Sequence, residues 1–110
     1  MIVGLITSLV VGCLCIVFGA VNMTGNLSTL HSYHYHRVSE QDRKPFGRLV
    51  GLGTILVGVS ILLYGVFMFI YEKTQSNIWV WIGTPLMLVG IIVGLVISFY
   101  AMIKYNKGIF

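Results

Sequence analysis

Charge is what this sequence has least of. Asp, Glu, Lys and Arg make up 9% of its 110 residues, against about 25% in an ordinary soluble domain. So few charges cannot cover a water-facing surface, which excludes a soluble globular protein. A bilayer supplies an apolar solvent instead, and a helix inside it satisfies its own backbone hydrogen bonds. Cysteine is scarce too. Cys13 and Cys15 are two residues apart in one apolar run, so on a helix they point to different faces and no disulfide joins them. The pair says nothing about redox compartment. No Gly-rich loop is followed by Lys-Ser or Lys-Thr, and Gly51-Leu52-Gly53 lies within an apolar run. Nucleotide binding therefore has no support, and neither does hydrolytic chemistry.

Apolar residues, in contrast, reach 57%. They fall into three runs without Asp, Glu, Lys, Arg or His: Ile2 to Val21, Leu49 to Tyr71, and Ile78 to about Ile103. About 20 residues of helix cross a hydrocarbon core of about 30 Å. The expected architecture is an all-α integral membrane protein, one membrane domain over residues 1–110, with spans at about 2–21, 49–71 and 78–103. A secretory signal is the rival reading of the first run. It needs a basic segment ahead of the apolar stretch, and here Met1 leads straight into Ile2-Val3. Val10-Val11-Gly12-Cys13 looks like a lipoprotein cleavage box, but the run continues past Cys13.

Residues 22–48 form the long polar segment. Ser39-Glu40-Gln41-Asp42 has capping-box spacing, so Ser39 is expected to cap a short interfacial helix, with Asp42 returning the bond. Pro45 should end or bend that helix. Tyr33, Tyr35 and Phe46 suit the headgroup layer, as do Trp79 and Trp81 at the start of the third run. Pro85 leaves two starts open for the third helix. Asn77 caps and the helix bends near Pro85, or Thr84 caps and Pro85 takes the first position.

Six of the seven Lys and Arg lie in segment 22–48 or after residue 103. Three spans put both regions on one side, and the positive-inside rule makes that side cytoplasmic. The N-terminus and the 72–77 turn then face outward in a multi-pass cell-membrane protein. Four basic residues from Arg37 to Arg48 with Glu40 and Asp42 among them make a poor phosphate footprint, so nucleic acid is not an expected partner. Asn22-Met23-Thr24 and Asn26-Leu27-Ser28 match the glycosylation pattern, but lie on the expected cytoplasmic side.

Small residues recur at helical spacing. Gly4, Ser8, Gly12, Cys15 and Gly19 share a face of the first span; Gly47, Gly51, Thr54, Gly58 and Gly65 do so in the second, and Gly90, Gly94, Ser98 and Ala101 in the third. Such stripes let backbones approach in lipid, where association relies on van der Waals packing. The expected helix-packing residues are Gly12, Gly19, Gly51, Gly58, Gly65, Gly90 and Gly94. The stripes hold the three helices together, or one of them is left for a partner. Gly53 is about 200° around the helix from Gly51, and Gly53→Leu should be the better tolerated if that face meets lipid.

His31, His34 and His36 are the candidate metal ligands. His31 and His34 could share a helix face, and His34 and His36 an extended one, but no regular structure aims all three at one point. Interfacial histidines without a metal or other cofactor are the expectation. The absence of ionisable residues from the runs counts against a proton-coupled transporter. Thr7, Ser8, Thr54, Ser60, Thr84 and Ser98 can bond their own helix backbones instead.

From Tyr35 the chain reads Tyr35-His36-Arg37-Val38-Ser39-Glu40-Gln41-Asp42-Arg43-Lys44-Pro45-Phe46-Gly47-Arg48-Leu49-Val50-Gly51. This stretch resembles a family of small, uncharacterised three-span membrane proteins of Gram-positive bacteria. Its members have a first span, a Tyr-containing loop, a Ser-acidic surface helix and a Gly-bearing second span. The family's loop commonly reads Gly-Tyr-Asn-Thr, whereas Tyr35 stands between His34 and His36-Arg37. A related layout occurs in membrane proteins that confer immunity to secreted toxins. The resemblance implies the topology and carries no active residues. The expected function is non-enzymatic: interaction with another membrane component, as accessory subunit or immunity-type factor, through the stripes and segment 31–48. The alternative is a small transporter or channel built by homo-oligomerisation.

Overall fold

A computed structural model describes residues 2–28, 30 and 35–108. Its three long helices are α1 (Ile2–Met23), α2 (Arg43–Thr74) and α3 (Ile78–Asn106). Each is long and apolar enough to cross a membrane, and the fold is all-α. Both α1 and α3 pack antiparallel along α2 and hardly touch each other. The helices thus form an open layer with α2 in the middle, 51 Å along its longest axis.

The C-terminal ends of α1 and α2 each have a local cause. Gly25 adopts φ +94°, a conformation that a side chain disfavours, and its N–H donates to the Asn22 carbonyl. That turn stops α1. The Asn26 side chain then accepts the Ser28 N–H at 3.0 Å, shaping the loop as such short polar side chains do. At the far end of α2, Gln75 turns left-handed at φ 56° and its N–H donates to the Tyr71 carbonyl.

The short interfacial helix is smaller than expected. It is one 3-10 turn, Glu40–Asp42, running straight into α2. Ser39 makes no side-chain cap to the backbone; its hydroxyl donates to the Asp42 carboxylate at 3.1 Å instead. Pro45 neither ends nor bends a separate helix. It sits in the first turn of α2, where there is no intrahelical N–H bond for proline to lose. The second helix therefore starts at Arg43 rather than Leu49. Its 32 residues cover about 48 Å at 1.5 Å each, more than a hydrocarbon core needs, so its polar first turns stand outside the apolar layer. In α3, Asn77 is the N-cap and Pro85 lies inside the helix. The first of the two starts is the one adopted.

Candidate functional site

The seven glycines expected at helix contacts all lie where two helices meet. Gly19 and Gly51 face each other: a Cβ on Gly19 would stand 2.6 Å from the Gly51 carbonyl oxygen, and one on Gly51 would strike the Gly19 carbonyl. Gly12 and Gly58 repeat this two turns away, at 2.9 and 2.7 Å from each other's carbonyl oxygens, and Gly65 meets Ser8. On the other side of α2, a Cβ on Gly94 would come 2.5 Å from the Gly53 carbonyl oxygen, and Gly90 abuts the Ser60 side chain. Backbones this close touch through Cα–H groups and carbonyls, contacts that only glycine leaves room for.

Gly53 overturns one expectation. It does not face lipid: it is buried against Gly94 and Ser98 of α3. The central helix has two small-residue faces, one for each neighbour. Gly53 and Ser60 are seven residues apart, the same spacing as Gly51 and Gly58, so they share one line of the second face. Ser98 also departs from expectation. Its hydroxyl reaches across to the Val50 carbonyl of α2 at 3.3 Å, while Thr7, Thr54 and Ser60 bond their own helices.

The loop end of the layer holds a small core. Leu27, Val38, Phe46, Val50, Ala101 and Met102 are buried together, with Leu30, Tyr35, Leu49 and Tyr105 packed against them. Phe46 is 0% exposed, so its ring packs inside this core rather than against lipid headgroups. Its ring meets Tyr105 edge-on, with centroids 6.3 Å apart. Asn106, also fully buried, binds the loop to the end of α3: its Oδ1 accepts the Arg37 N–H at 2.8 Å, and its Nδ2 donates to the Gly108 carbonyl at 2.9 Å. The described residues between α1 and α2 thus form a folded cap on the ends of α2 and α3. Asn22 is buried under it, which leaves no room for a glycan there.

The polar side chains of this cap stay outside. Ser39, Glu40, Gln41, Arg43 and Lys44 are exposed. His36 is exposed too, whereas His31, His34 and Tyr33 lie outside the described residues. Among the described residues, no three of His, Cys, Asp or Glu stand close enough to hold a metal ion. A cleft of about 230 Å³ between α1 and α2 is lined by Gly4, Ser8, Tyr64 and Gly65 among others. It carries hydroxyls but no carboxylate, imidazole or amine. Comparison with protein-family models, with curated proteins and with solved structures found no match.

Proposed function

We propose that this chain is a non-enzymatic cell-membrane protein that acts by binding another membrane component, as an accessory subunit or an immunity-type factor. One observation carries the reading: the polar loop is built into a cap with a buried core, while Glu40, Gln41, Arg43 and Lys44 stay exposed. A folded polar surface on an otherwise apolar molecule suits recognition. The glycine stripes are occupied within the chain, so the contact falls to segment 35–48 rather than to them. The likeness of residues 35–51 to small three-span membrane proteins of Gram-positive bacteria supports the same reading.

The test is a photo-crosslinking residue at Gln41, activated in native membranes. A discrete heteromeric product, identified by mass spectrometry, is the expected result. Self-crosslinks alone would instead support the homo-oligomeric transporter or channel.

In this reading the cap and the C-terminus are cytoplasmic and the N-terminus is outside. Six of the seven Lys and Arg share the cap end, and basic residues favour the cytoplasmic side. After Cys13 and Cys15 are replaced by Ala, cysteines at Gln41 and Lys107 should be shielded from an impermeant thiol reagent in intact cells. One at Gln75 should react. Labelling at Gln41 would reverse the orientation.

A further inference from the structure

The charge asymmetry of the layer acquires a specific geometry at the cap end. Arg43, Lys44 and Arg48 leave the first turns of α2, and Lys104 leaves the last turn of α3; all four are exposed. The Phe46–Tyr105 contact brings those two helix ends side by side. Two of the cations are held over aromatic rings. The Arg43 guanidinium lies 5.8 Å from the centroid of Tyr35, and the Lys104 ammonium lies 5.3 Å from Tyr105 and 5.8 Å from Tyr100. Rings of this kind settle at headgroup depth, so they fix the cations at that depth too. Arg37 and Lys107 add charge nearby, and Glu40 and Asp42 are the acidic residues of this end. At the opposite end Glu72 and Lys73 cancel, so the formal +4 of the whole chain resides at the cap.

We propose that this end binds anionic phospholipid headgroups, whose phosphates are drawn to Arg43, Lys44, Arg48 and Lys104. The spans already place lipid around these residues. An acyl chain can lie along the exposed apolar flank of α3 while its headgroup stands level with Lys104 and Tyr100. Charge complementarity then selects an anionic lipid over a zwitterionic one, because each basic residue near an anionic surface adds attraction.

The full-length protein in neutral detergent, given equimolar phosphatidylglycerol and phosphatidylcholine, tests this by native mass spectrometry. Wild type should retain phosphatidylglycerol about tenfold over phosphatidylcholine, in keeping with several cations acting together. R43Q/K44Q/R48Q/K104Q should lose most of that preference, and K73Q should keep it. Raising salt from about 50 mM to about 500 mM should weaken the preference in the unmodified protein, because exposed charges are screened. The salt series keeps the test decisive if the fourfold variant fails to fold. Inorganic phosphate at the lipid's concentration should not displace phosphatidylglycerol. Equal retention of the two lipids by wild type would overturn the proposal. So would a K73Q loss as large as that of the fourfold variant, a preference indifferent to salt, or displacement by free phosphate.

Discussion

Gly53→Leu and Gly51→Leu should each destabilise the purified protein by about 3 kcal/mol, the upper end of what overpacking usually costs. At both positions a Cβ would meet a carbonyl of the neighbouring helix, Gly19 for Gly51 and Gly94 for Gly53, as well as a side chain, Met23 and Ser98 respectively. Backbone cannot swing aside, so the helices must separate. Gly51→Leu should push α1 away from α2, and Gly53→Leu should push α3 away. Indole fluorescence distinguishes the two. Trp79 packs on Phe67 with ring centroids 5.7 Å apart, on the face of α2 that meets α3. With Trp81 replaced by Phe, Gly53→Leu should shift the Trp79 emission, and Gly51→Leu should leave it nearly unchanged. Val59→Leu, on the exposed line of α2, should change stability by less than about 0.5 kcal/mol. If Gly53→Leu unfolds at the wild-type temperature, α3 does not pack on that face.

The three spans were legible because an apolar run without charge can hardly be anything else at that length. The ends were less so. Hydropathy marks where a chain is apolar, not where it is helical, and Arg43 to Arg48 is polar helix. The missed second face of α2 has a different cause. Gly47, Gly51, Gly58 and Gly65 form one conspicuous stripe, and a helix with one stripe reads as having one partner. A central helix needs two. Val57, which packs against Gly94, interrupts the Gly53 register with a β-branched residue and hides it as a stripe of small residues. The cap was the least legible part. Leu27, Val38, Phe46 and Met102 obey no common period, because they come from a loop and two helices. Phe46, set among Arg43, Lys44 and Arg48, reads locally as an interfacial aromatic; only the loop folding over it makes it core.

That burial gives the second large effect. Phe46→Ala should cost about 3–5 kcal/mol, as truncation of a buried aromatic does, and the loss should be confined to the cap. Phe46 joins α2 to α3 only at the cap end; the glycine contacts along the rest of the helices remain, so helix content in detergent should stay at the wild-type level. What should change is access to the loop. Val38 is buried and the Arg37 N–H is bonded to Asn106, so trypsin should cut slowly after Arg37 in wild type. Without the Phe46 ring, Val38 and Tyr105 lose the surface they pack against, the loop lifts, and cleavage there should quicken. Phe46→Leu keeps most of the volume and should cost under about 1.5 kcal/mol. Asn106→Leu should quicken the same cut by another route, because it leaves the Arg37 N–H without its acceptor at a cost of about 1–3 kcal/mol. A Phe46→Ala protein that resists trypsin as wild type does, and melts at the same temperature, would mean that the loop is held down by something other than this core.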